Sequence, residues 1–158
     1  MGYFVRAFCS AATSPPLDHV LQALGARGVT LAPESGDPGD LREPDWEELA
    51  ISWAADRPAL QLTCSREDGS GRGELREEIQ QFMDFVRDAP ESGERRRVLD
   101  HLRATRFVVA CQVPDENDER GHAAALALVS FFARHGKGLT QIDGKGFFDG
   151  DALLLPAE

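Results

Sequence analysis

A short apolar segment near the start of the chain recurs later in the sequence, and this repeat constrains the fold. Residues 3–7 read YFVRA and residues 106–110 read RFVVA. Both segments are typical of β-strands, and each is followed by a proline-containing bend, an amphipathic helix and further strands. The sequence therefore predicts two related strand–helix–strand halves, an arrangement that often leaves a groove between them.

The periodicity of the apolar residues predicts the elements in between. Alternation from Trp46 to Trp53, a turn, and a return strand through Cys64 predict an antiparallel hairpin. Apolar residues that recur with a period of 3.6 residues predict four helices: after Pro16, from Glu74, over 93–104 and over 123–134. We therefore expect an α+β fold, a mainly antiparallel sheet from two β-α-β-β-like halves with helices packed on one face.

The length of 158 residues suits a single domain spanning residues 1–158. Its halves are expected at roughly 1–68 and 106–158, joined by a helical pair at 74–104. This order of elements resembles the layout of small-molecule effector-binding domains of the gyrase-inhibitory type. The resemblance concerns element order and involves no motif, and it implies a ligand-binding groove between the halves.

Arg6 is an unusual residue for the middle of an apolar strand. It faces either solvent on the open side of the sheet or a groove, where its planar guanidinium would bind an anionic ligand. In the second case Tyr3 and Trp53 are the other candidate lining residues. For a protein-binding surface the candidates are large aromatic residues at loop edges, since such residues concentrate binding energy: Trp46, Phe147 and Phe148.

The charge balance bears on partners. With 27 acidic and 17 basic residues the formal net charge is −10, which disfavours nucleic acid and anionic membranes and favours a protein partner with a basic surface. Arginine is common while lysine occurs twice, which is typical of a GC-rich bacterial genome. No apolar run is long enough to span a bilayer and no signal peptide is expected, so we expect a cytoplasmic protein.

Three isolated cysteines, Cys9, Cys64 and Cys111, form no CxxC pair and suit a reducing cytosol. They fall on three predicted strands, where free cysteine usually packs as a small hydrophobe. The four histidines lack zinc-binding spacing, so neither a metal nor another cofactor is expected. A reactive cysteine beside a histidine would make the protein an enzyme, and this alternative remains open.

Two polar segments attract attention. Residues 143–151 are rich in glycine and aspartate, but their context is that of a hairpin turn with positive φ angles, not of a phosphate or calcium loop. Residues 115–119 contain four acids and are expected to cap the helix that follows.

The sequence thus supports three hypotheses. The first is a non-catalytic regulator or acidic inhibitor that acts through protein–protein contact. The second is a small-molecule-binding module that uses the groove between the halves, and the third is an enzyme with a cysteine-based site. The sequence leaves the oligomeric state open.

Overall fold

A computed structural model describes residues 3–34, 41, 46–67, 73–115 and 118–157. Within these ranges the strands are β1 Tyr3–Cys9, β2 Ala32–Pro33, β3 Glu48–Ser52, β4 Leu60–Arg66, β5 Phe107–Val113, β6 Gly138–Ile142, β7 Gly146–Asp149 and β8 Ala152–Pro156. The helices are α1 Leu17–Ala26, α2 Glu74–Arg87, α3 Gly93–Ala104 and α4 Glu119–His135. The predicted α+β class and antiparallel sheet are confirmed.

One continuous eight-stranded sheet runs through the described residues in the order β2-β3-β4-β5-β1-β6-β7-β8. The strands β4-β5-β1-β6, with α1 and α4 as connections, form the split β-α-β arrangement of ferredoxin-like folds. The β2-β3 and β7-β8 hairpins extend this centre on its two sides. In this sheet β5, from the predicted second half, lies between β4 and β1 of the predicted first half. The halves therefore interleave in one sheet instead of forming two separate units.

Helices cover both faces of the sheet, whereas the sequence pattern predicted them on one. Val5, Ala7 and Cys9 of β1 pack on the side of α1 and α4, which we call the α1/α4 face. Phe8 of β1 belongs to a second cluster with the apolar stripes of α2 and α3, on the α2/α3 face. The cause is that β1 and β5 carry apolar residues in both alternating sets, so each face offers a surface on which a helix can be buried.

The segment 143–151 contains an additional strand, β7, where a single turn was expected. Positive φ angles at Gly144, Gly146 and Gly150 are confirmed, at 79°, 123° and 57°. The crowding is greatest at Gly146, where a Cβ atom would lie 2.1 Å from the carbonyl oxygen of Leu155. Glycine at this position lets β7 approach β8 closely.

The beginning of α4 is capped as the acidic segment predicts. The side chain of Asp118 accepts a hydrogen bond from the backbone N–H of Gly121 at 3.0 Å. A carboxylate here also complements the positive end of the helix dipole. This cap sets the position of the first turn of α4, which carries Glu119 and His122.

Candidate functional site

The first strand, the end of β6 and the first turns of α4 meet at one end of the sheet. They enclose a depression of about 390 Å³, which we call the Tyr3 pocket. Such a volume is at the lower end of the range for small-ligand sites. Its lining combines an apolar floor with four polar side chains: Val5, Ala123, Leu126 and Ile142 form the apolar part, and Tyr3, Glu119, His122 and Lys145 the polar part.

Tyr3 and His122 form a stacked aromatic pair in this pocket. Their ring centroids are 4.0 Å apart and the rings are inclined by 10°. The Nε2 atom of His122 is shielded from solvent and has no hydrogen-bond partner among the described residues. Burial raises the pKa of Tyr3, and the negative charge of Asp143 raises this pKa further. The phenol therefore stays protonated and remains able to donate a hydrogen bond at neutral pH.

Glu119 and Lys145 supply opposite charges to the same pocket. Within the described part of the chain, neither side chain takes part in an ion pair. Both charges are therefore available to a ligand. Glu119 lies in the first turn of α4, and Lys145 lies in the turn between β6 and β7.

A second depression lies on the α2/α3 face, beside the same β6–β7 turn. Its volume is about 310 Å³, and we call it the Phe85 pocket. Three phenylalanine rings contribute to it, of which Phe85 is 44% exposed and Phe147 is buried. The lining residues are Gln81, Phe82, Phe85, Gln141, Asp143, Gly144, Gly146, Phe147 and Ala157.

Arg6 lies beside the Phe85 pocket at the centre of a charged cluster. Its Nη1 donates to Asp143 Oδ1 at 2.9 Å and to Gln141 Oε1 at 2.8 Å. Its guanidinium carbon is 4.6 Å from the ring centre of Phe4 and 5.0 Å from that of Phe82. Arg6 is therefore neither solvent-exposed nor a free anion-binding residue, since its charge is used inside the protein.

Glu78 of α2 completes this cluster from the helix side. Its Oε1 is 4.0 Å from Arg6 Nε and has no hydrogen-bond partner among the described residues. Burial raises the pKa of Glu78, the charge of Arg6 lowers it and the charge of Glu74 raises it, with a net shift upward. Loss of hydration therefore outweighs the attraction to the guanidinium.

The sheet separates Arg6 from Tyr3 and Trp53, the other two residues that the sequence suggested as a ligand-binding set. Tyr3 packs on the α1/α4 face and Arg6 on the α2/α3 face. Trp53 lies on the same face as Tyr3, and its ring packs close to Gly121 of α4. Its Nε1 donates a hydrogen bond to the carbonyl oxygen of Pro58 at 3.2 Å. Of the three, Tyr3 is the residue that lines the Tyr3 pocket.

The candidate interaction residues are mostly internal. Trp46 is 7% exposed and packs against Phe132, and Phe147 is 1% exposed. Phe148 is half-buried against the α1/α4 core. Trp46 and Phe147 therefore stabilise the core and do not form an exposed surface, although Phe147 contributes to the Phe85 pocket.

The three cysteines are free and buried on the α1/α4 face, on three neighbouring strands. Burial raises the pKa of Cys9 and Cys111 to about 12 and that of Cys64 to about 11. These thiols are poor nucleophiles at neutral pH because the thiolate is the reactive form. Among the described residues, no group of three or more histidine, cysteine or acidic side chains is arranged to hold a metal ion.

Comparison with known proteins does not assign this chain to a family. No protein-family model matches the sequence, and neither the curated proteins nor the solved structures include a significant match. In the part of the chain that is described, no helix has the length and apolar character needed to cross a membrane.

Three polar residues of the Tyr3 pocket were not predicted as a site. Glu119 was assigned to helix capping, His122 to a helix, and Lys145 to a turn. The one available signal was the rarity of lysine, which occurs only at positions 137 and 145. Their convergence depends on the pairing of β1 with β6, which a sequence pattern does not reveal.

Proposed function

We propose that this protein binds a small molecule in the Tyr3 pocket. The observation that carries the proposal is that Glu119 and Lys145 line one apolar depression and form no ion pair with any described residue. A small zwitterion with an apolar side group, such as an amino acid, has complementary chemistry. Its ammonium would pair with Glu119, its carboxylate with Lys145, and its apolar group would cover Leu126 and Ile142.

Two further features support a ligand here. The buried Nε2 of His122 has no hydrogen-bond partner in the described part of the chain, and native proteins rarely leave such an atom unsatisfied. The ring of Tyr3 stacks on this imidazole and offers a protonated hydroxyl. The free thiols support the further proposal of a cytoplasmic location, since oxidising compartments favour disulfides.

Thermal-shift measurements with free amino acids test the proposal. A ligand that binds the folded state raises Tm, so amino acids with apolar side chains are expected to stabilise the protein. Their N-acetyl and amide derivatives each lack one charge and are expected to have no effect. If the free amino acids and their derivatives all leave Tm unchanged, the proposal is wrong.

Paired variants test the assignment of the charges. Lys145→Met and Glu119→Gln should abolish the ligand-induced shift. Lys137→Met removes the other lysine, and Glu94→Gln removes an acid from the first turn of α3, so both are matched controls. A shift that survives in the first pair, or is lost equally in the controls, would contradict binding between Glu119 and Lys145.

A protein partner with a basic surface, which the net charge favours, would use a different part of the molecule. The Tyr3 pocket carries both signs of charge, so it has no preference for a basic protein.

A further inference from the structure

We propose that the Phe85 pocket binds an arginine side chain of a basic partner protein. This interaction is separate from the small-molecule binding proposed for the Tyr3 pocket, because the two depressions lie on opposite faces of the sheet. The volume of about 310 Å³ is near the lower limit for ligand pockets and suits a single side chain.

The walls of the Phe85 pocket are aromatic. Phe82 and Phe147 meet edge to face with their ring centroids 6.1 Å apart. Phe85 also lines the pocket and is 44% exposed, whereas four other apolar residues of the same helix are buried: Leu75, Ile79, Met83 and Val86. The faces of such rings attract cations, and a guanidinium stacks on them especially well.

The protein already contains the contact that we propose for the partner. Arg6 lies over the ring of Phe82 at 5.0 Å and bonds to Asp143 at 2.9 Å. Phe82 and Asp143 also line the Phe85 pocket. A guanidinium entering the pocket would meet the same ring and the same carboxylate as Arg6 does.

Near the Phe85 pocket the carboxylates outnumber the guanidinium groups, which favours binding of a second cation. Asp143 is the charged residue of the lining, and the cluster behind it contains the carboxylates of Asp143 and Glu78 against the single guanidinium of Arg6. The whole chain carries a formal net charge of −10, which attracts a basic protein at long range. The pocket therefore combines general attraction with a specific place for one cationic side chain.

Fluorescence anisotropy with labelled peptides tests this proposal. We expect an oligo-arginine peptide to bind at physiological ionic strength and an oligo-citrulline peptide, its neutral isostere, not to bind. An oligo-lysine peptide should bind more weakly, because its ammonium does not stack as a planar group. Equal binding of arginine and lysine peptides, or binding of the citrulline peptide, would overturn the proposal.

A pair of neighbouring charge variants separates the pocket from long-range attraction. Gln81→Lys places a cation at the lining, whereas Gln80→Lys makes the same charge change at an exposed residue outside it. We expect Gln81→Lys to weaken oligo-arginine binding by about tenfold and Gln80→Lys by about twofold, corresponding to about 1.4 and 0.4 kcal/mol. Equal losses would show that net charge alone attracts the peptide, and the proposal would fall.

A third variant tests the aromatic contribution. Phe85→Leu keeps an apolar side chain but removes the ring, and we expect about a threefold loss of affinity, as for an exposed cation–π contact. Leu153→Ala changes another exposed apolar residue, 52% accessible and outside the pocket, and should have no effect. Unchanged binding in Phe85→Leu, or an equal loss in both variants, would contradict recognition by the ring.

Discussion

Arg6 and Asp143 are 137 positions apart in the sequence, yet the guanidinium Nη1 lies 2.9 Å from the carboxylate Oδ1. Asp143 Oδ2 also accepts the backbone N–H of Phe4 at 3.1 Å. The pair therefore ties the beginning of β1 to the end of β6, where both pockets lie.

We predict that Arg6→Met destabilises the protein by about 2 kcal/mol, because a charge-assisted hydrogen bond in a part-buried cluster is lost. Arg97→Met is the matched control, since it removes an exposed ion pair with Asp149 and should cost less than about 1 kcal/mol. Urea unfolding measures both free energies. Equal costs would mean that the Arg6 pair behaves as a surface contact.

The raised pKa of Glu78 predicts a pH-dependent effect. Because this pKa is higher in the folded chain, the protonated carboxyl stabilises the folded state below the ordinary value of 4.5, and this stabilisation is lost as pH rises through the folded value. Glu78→Gln stays neutral, so its stability relative to the natural protein should increase between about pH 4 and pH 7.

Urea unfolding across that range measures this difference. Glu77→Gln, at an exposed neighbouring position of α2, controls for the removal of one negative charge. A difference for Glu78→Gln that is constant with pH, or that decreases as pH rises, would contradict the assignment.

The buried thiols predict slow chemical modification. With pKa values of about 12, 11 and 12, Cys9, Cys64 and Cys111 are almost wholly protonated at neutral pH and are shielded from reagent. Reaction with a disulfide reagent should be slow in the native protein and rapid for all three in denaturant. Fast native labelling of any one cysteine, located by mass spectrometry, would restore the hypothesis of a cysteine-based enzyme.

Gly146→Ala should be strongly destabilising. The new Cβ would lie 2.1 Å from the carbonyl oxygen of Leu155. The backbone φ of 123° at this position is one that residues other than glycine rarely adopt. We expect a loss of about 3 kcal/mol or more from strain and overlap together. Gly144→Ala also has a positive φ but faces open space, so its cost should be about 1 kcal/mol. Thermal unfolding of the two variants makes the comparison.

The sequence was sufficient to predict local structure. The helical period of α2, the β3–β4 hairpin and the Asp118 cap are confirmed, because each depends on residues close together in the chain. Periodicity also showed that the stripe on α2 is buried. It did not show against which face of the sheet, since a buried position does not specify its partner.

The candidate sites were harder to predict for the same reason. Tyr3 was expected to contact a ligand, but His122 and Lys145 join it only through the packing of α4 and the pairing of β1 with β6. The periodicity of α2 placed Phe85 in a widened apolar stripe, but in the structure its side chain is exposed and lines the Phe85 pocket. Periodicity alone does not show which apolar residues of a stripe stay outside the core.

The position of β1 in the sheet has a consequence for synthesis on the ribosome. Its neighbours are β5 and β6, so residues 3–9 have no strand partner until residue 107 and those beyond it have left the exit tunnel. Until then the earlier strands can form only the β2-β3-β4 part of the sheet. We therefore expect the nascent chain to expose an unpaired apolar strand until β5 emerges, which favours the involvement of chaperones.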